Sequence, residues 1–146
     1  MNRFFDFFLR SDRTSRVIDR RAHATLDYLT VAYFLLLAGR YWGSHRRAAT
    51  TALANAGAVL GASMFTDYPG ALRRLIPFET HGKIDIAQAG MAAVMPAMLG
   101  FADDAEAIPF YLQTMNEIAV IMLTDWQGRE STSGEALEDV ERTGTY

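Results

Sequence analysis

Apolar residues fill four long stretches of this chain, and charge collects between them. Across 28–39, 48–66, 86–102 and 108–123 the only ionisable carboxylate is Glu117. None of these stretches carries the polar stripe, recurring every third or fourth residue, that a helix on the surface of a soluble protein needs. With their flanks they approach the ~20 residues an α-helix uses to cross a hydrocarbon core. The pattern therefore predicts four helices, over about 22–42, 48–65, 80–101 and 109–126. A turn at 43–47, the breaker Thr66-Asp67-Tyr68-Pro69-Gly70 and the acidic Asp103, Asp104 and Glu106 separate them. A soluble bundle of buried helices is the competing reading, and the missing polar stripe argues against it.

Details inside the stretches sharpen this picture. Gly57 and Gly61, four residues apart, with Ala54 and Ala58, predict a close-packing face on the second helix. Ala89, Ala93 and Ala97 predict another on the third, where Pro96 is expected to kink the last turns. Tyr41 and Trp42 suit a membrane-interface belt. Phe4, Phe5, Phe7 and Phe8 lie beside Arg3, Asp6 and Arg10, which reads as an interfacial amphipathic helix. That apolar patch is too short for the core of a cleavable signal. Arg73 and Arg74 sit in a second interfacial segment, able to snorkel. The expected divisions are an interfacial basic arm (1–21), helices one and two (22–70), a connector (71–79), helices three and four (80–128) and an acidic polar tail (129–146).

Charge changes the picture in one respect, orientation. Of the 14 Lys and Arg, only Arg40, Arg46 and Arg47 fall on the side away from the N-terminus. The positive-inside rule then places both termini in the cytoplasm and the chain in the plasma (inner) membrane. A net charge of −3 gives no reason to expect nucleic acid, and the absence of cysteine excludes disulfides and thiolate metal sites.

The rare polar residues recur. Sliding the chain by 58 residues superposes His23 on His81, Asp27 on Asp85, Met64 on Met122, Thr66 on Thr124, Asp67 on Asp125 and Gly70 on Gly128, while Tyr68 meets Trp126. The fold class expected is all-α: a four-transmembrane-helix bundle of two parallel 58-residue helical-hairpin repeats. Such a bundle gathers His23, Asp27, Asp67, His81, Asp85 and Asp125 at one membrane face. His and Asp at i and i+4 share a helix face, about 5.4 Å apart.

The run TDYPGALRRLIPFETHGKIDIAQAG…MPAMLGF resembles the SPW-repeat family of small bacterial membrane proteins. The shared features are a TDY-type turn, an arginine and an Ile-Pro dipeptide, a His-x3-Asp helix start and a proline-containing helix end. Met95-Pro96-Ala97 stands where the family has its Ser-Pro-Trp. The resemblance spans about 22–125 and implies a four-helix integral membrane protein without an established activity.

The six-residue cluster admits three readings. The preferred one is a hydrogen-bond network that locks helix ends. The others are a divalent metal site for iron, manganese or zinc, and a haem or other pigment held between His23 and His81. Asn55, Gln88, Asn116 and Glu117 form a second polar set inside the apolar stretches, where a carboxylate is costly and faces a partner. Glu117 hydrogen-bonded to Gln88 or Asn55 is the structural reading; a proton or small-ion path is the functional one. No nucleophile motif, phosphate loop or nucleotide fingerprint is present, which leans away from an enzyme. The expected function is a non-catalytic auxiliary or structural subunit. Its partners would be the lipid bilayer and either other membrane subunits or a second copy of itself.

Overall fold

The computed structural model describes residues 17–127. The expected helix at Phe4, Phe5, Phe7 and Phe8 and the acidic tail lie outside these residues. Four α-helices follow one another: α1 Arg20–Tyr41, α2 Arg46–Phe65, α3 Phe78–Met98 and α4 Ile108–Leu123. A 3₁₀ turn, Ala105–Ala107, leads into α4. Among the described residues there is no strand, only two isolated parallel bridges, Ile18 with Thr124 and Thr66 with Ile76. The protein is all-α. Its first two helices, at 1.5 Å per residue about 33 and 30 Å long, are long and apolar enough to cross a membrane.

Local chemistry sets the helix ends. The Asp19 carboxylate accepts from the Ala22 N–H at 2.7 Å and caps α1. His45, in the turn at 43–47, is the N-cap of α2: its Nδ1 accepts from the Ala48 N–H and its Nε2 meets Asp104. Helix α3 runs two residues past Pro96. It stops where Gly100, at φ +70°, donates to Ala97 O while Phe101 donates to Pro96 O. That pair of bonds is a Schellman closure, and glycine takes its left-handed residue without steric cost.

Helix α1 packs on α2, α2 on α3 and α3 on α4. At the end holding the two helical turns, Phe34, Phe101 and Phe110 close a core with Ala38, Ala48, Ala52, Ala56, Ala92 and Ala107. Around this core the usual distribution of polarity is inverted. Leu29, Leu36, Leu53, Leu60, Val94, Met98, Leu112, Met115 and Met122 are exposed, while His23, Asn55, His81, Gln88, Gln113 and Glu117 are buried.

Two expectations about faces change. A methyl group added at Gly57 or Gly61 would touch nothing within 4 Å, so this face of α2 packs on nothing among the described residues. On α3 only Ala89 is buried; Ala93 is half-buried and Ala97 exposed. The connector after α2 turns back extended over the end of α2, with Leu75 and Ile76 donating to Phe65 O and Asp67 donating to Ile76 O. Arg73 and Arg74 are exposed, Arg74 within 3.4 Å of Asp67.

The segment before α1 does the same to the other helix pair. Val17 and Ile18 donate to Leu123 O, and Asp125 donates to Ile18 O. Each is the bond of the connector displaced by 58 residues, with the two halves exchanged.

Candidate metal centre

Helices α2 and α4 end in the same way, at a threonine whose backbone turns extended: Thr66 (ψ 145°) and Thr124 (ψ 134°). The last carbonyls of a helix lack intrahelical partners. The Thr66 hydroxyl donates to Ala62 O at 2.8 Å, and the Thr124 hydroxyl to Val120 O at 2.7 Å. Both hydroxyl protons are thereby committed. Each oxygen is left to accept, and each has a histidine Nδ1 beside it: His81 at 2.7 Å from Thr66, His23 at 2.9 Å from Thr124. Both rings therefore carry a proton on Nδ1, and both Nε2 atoms point inward.

What the Nε2 atoms meet is the core of the site. His23 Nε2 lies 3.0 Å from Asp85 Oδ2 and 3.4 Å from Asp27 Oδ1. His81 Nε2 lies 2.9 Å from Asp27 Oδ2 and 3.2 Å from Asp85 Oδ1. The two histidines are 1% and 0% exposed. Without a further proton on each ring, two nitrogen lone pairs thus face two carboxylates in a closed ring. Lone pairs repel one another, so the ring calls for positive charge at its centre, from protons or from a metal ion.

The outer contacts fix the ring further. The Tyr68 hydroxyl donates to Asp27 Oδ2 at 2.7 Å, and the Ser63 hydroxyl reaches the same oxygen at 3.4 Å. Burial, with the Asp27 carboxylate beside it, pushes the Tyr68 phenol well above the usual tyrosine range, so it stays a donor. On the opposite side Trp126, the residue matching Tyr68, donates its indole N–H to Ile121 O and lays its ring 4.7 Å from His23.

Of the six residues expected in one cluster, the structure brings together His23, Asp27, His81 and Asp85. Asp67 and Asp125 stand outside the ring. Asp67 pairs with Arg20 at 3.8 Å and with Arg74, and Asp125 accepts from the Gln127 N–H. The reason is the backbone. Continuing the helices would turn the aspartates inward, but both helices stop one residue earlier and the extended threonine takes the inward place. A haem between the histidines does not fit either. The two rings meet edge to face with centroids 5.4 Å apart and their Nε2 atoms on carboxylates, which leaves no gap for a macrocycle.

The second polar set divides into two links. Gln88 donates to Asn55 at 3.0 Å, joining α3 to α2, and Gln113 donates to Thr30 at 3.1 Å, joining α4 to α1. These links are also related by 58 residues, Thr30 to Gln88 and Asn55 to Gln113. Gln113, which sequence reading passed over, also donates to Glu117 at 3.3 Å. Asn116 is exposed, although it borders the small cavity described below.

Compared with known proteins, the chain matches no family model, no curated protein and no solved structure. The geometry of the site is therefore what speaks for its chemistry.

Proposed function

We propose that the chain is a membrane-spanning four-helix bundle, built by duplication of a helical hairpin, that binds one divalent first-row metal ion between His23, Asp27, His81 and Asp85. The observation that carries the metal is the pair of threonine-fixed tautomers. Metal-ligating histidines characteristically donate their second ring N–H to an acceptor that orients the ring, and here both do so identically. Spacing supports it. A tetrahedral shell at ~2.0–2.1 Å from Zn²⁺ places neighbouring donors about 3.3 Å apart. The four N···O distances, which involve both oxygens of each carboxylate, run from 2.9 to 3.4 Å, and one donor atom from each of the four residues lies within 4.8 Å of the others. Two neutral imidazoles, two carboxylates and a dication sum to zero charge, which suits a buried site.

The membrane reading rests on the exposed leucines and methionines around a polar interior, and duplication on the matched bonds at an offset of 58 residues. The resemblance to SPW-repeat proteins agrees with both. Positive-inside orientation puts the metal-binding end and both termini in the cytoplasm. A second role, as a subunit of a larger membrane assembly or a homo-oligomer, is favoured by the unpacked Gly57 and Gly61 face.

Metal analysis of the detergent-purified chain tests the proposal. One Zn²⁺ per chain is expected, with a higher thermal midpoint that a chelator lowers, since an ion at 100 times its Kd stabilises by about 2.7 kcal/mol. A folded chain that takes up no Zn²⁺, Fe²⁺, Mn²⁺ or Co²⁺ overturns it. Thr66→Val removes the acceptor of His81 Nδ1 while preserving side-chain shape. We expect it to weaken Zn²⁺ binding by about 10–100-fold in a calorimetric titration, the usual cost of losing such an outer partner.

A further inference from the structure

The ring is nearly two-fold, and it is open on one side. There a cavity of about 30 Å³ is lined by His23, Asp27, Asp85, Thr30, Gln88 and Glu117, among others. One water needs roughly 10–15 Å³ of such space and two to four polar partners. Polar groups are abundant here, and one of them is unsatisfied. Glu117 is 9% exposed; its Oε1 accepts from Gln113, while its buried Oε2 has no hydrogen-bond partner among the described residues. A buried carboxylate oxygen left in this condition is costly unless something fills the space before it.

Glu117 also breaks the match between the two halves. The residue 58 positions earlier is Val59, which lines the same cavity. An apolar residue at both positions would complete a symmetric wall. The carboxylate lies seven residues in from Thr124, about 10 Å along α4. Beyond it the side-chain links of Glu117 run through Gln113 to Thr30, and among the described residues Phe34, Phe101 and Phe110 with their alanines, all at most 4% exposed, fill the core of the far half. A cation path across the membrane would need a polar route through that core. A dead-ended pocket beside a ring of metal donors needs only a ligand.

We infer that the cavity holds a water bound to the metal ion, hydrogen-bonded to Glu117 Oε2, so that Glu117 gives the ion an open, water-carrying coordination position. This rests on the metal centre proposed above. Closed four-ligand sites serve structure, and a site that keeps a position for water or substrate is of the catalytic kind. Glu117 is here a positioning residue for that water, and the substrate class that fits is a small polar molecule able to displace it.

Co²⁺ replaces Zn²⁺ with a visible spectrum that reports coordination number, so the full-length chain loaded with Co²⁺ is the probe. The expected wild-type complex shows a weak, five-coordinate band and, in D₂O, deuteron coupling to Co²⁺ in pulsed electron paramagnetic resonance. Glu117→Val should raise the absorption per ion severalfold, to a four-coordinate spectrum, and lose the deuteron coupling. Glu117→Gln keeps an oxygen acceptor and should retain the wild-type spectrum. Stoichiometric Co²⁺ without deuteron coupling in the wild-type chain overturns this inference alone, and so does a Glu117→Val spectrum identical to wild type. A wild-type chain that takes up no Co²⁺ overturns the metal centre with it.

Discussion

Replacing His81 by alanine is expected to abolish metal binding and, by leaving the buried carboxylates without the ion's compensating charge, to destabilise the bundle by about 3–5 kcal/mol. His81 is fully buried and touches three partners: Thr66 through Nδ1, and Asp27 and Asp85 through Nε2. Without the ring, the Asp27 carboxylate keeps the Tyr68 hydroxyl at 2.7 Å, the more distant Ser63 and His23 Nε2 at 3.4 Å. Most of the loss is then the penalty of a carboxylate left without its cation, and it should shrink when that charge is removed. His81→Ala with Asp27→Asn is therefore expected to cost less than the sum of the two single changes. Zn²⁺ uptake and reversible unfolding in mixed detergent measure the two effects. A single His81→Ala chain that binds Zn²⁺ with wild-type affinity would remove the four-residue centre from consideration.

The second large effect is expected at Gly82. A Cβ there would stand 2.9 Å from two carbons of the Trp126 ring, closer than real contacts allow. Trp126 has little freedom to retreat. Its indole N–H is held by Ile121 O at 3.0 Å, and its ring packs against both Phe78 at 4.8 Å and His23 at 4.7 Å. Gly82→Ala should therefore destabilise by about 1–3 kcal/mol, as overpacking does. The sign is informative, because glycine to alanine inside a helix otherwise stabilises by roughly 0.5–1 kcal/mol. Gly57→Ala, on the open face of α2, is the control expected to show that gain.

The matched position explains how the clash can be relieved. Where the second half has Gly82 and Trp126, the first has Ala24 and Tyr68, both in one buried cluster. A smaller ring accommodates the extra methyl. Trp126→Tyr is accordingly expected to restore most of the stability lost in Gly82→Ala, while costing stability by itself in the wild-type background. A thermal-unfolding double-mutant cycle reads the coupling, and strictly additive effects would show that the ring and the glycine are not a fitted pair.

Hydrophobic patterning along the chain was enough to place the four helices and most of their ends within a few residues. Long uncharged runs have few other ways to satisfy their backbone, and the breakers between them are strong. The i, i+4 spacing of His23 with Asp27 and of His81 with Asp85 was equally legible, because a helix face follows from 3.6 residues per turn. The roles of Asp67 and Asp125 were not. Their positions depend on the residue at which the helix gives way to extended backbone, and a shift of one residue there exchanges inside for outside. The open face at Gly57 and Gly61 escaped for a related reason: small residues permit close approach without saying whether the neighbour belongs to the same chain.

By itself, then, the sequence determined an all-helical chain with polar residues recurring at a fixed offset inside apolar segments, because local periodicity and composition are properties of the chain alone. Only the tertiary structure decided which atoms of those residues meet. The commitment of the Thr66 and Thr124 hydroxyls to helix-end carbonyls, and hence the inward Nε2 of both histidines, arises where two helices end beside the starts of two others. The unpartnered oxygen of Glu117 has the same origin: whether a buried carboxylate finds a donor depends on what three other helices bring to it.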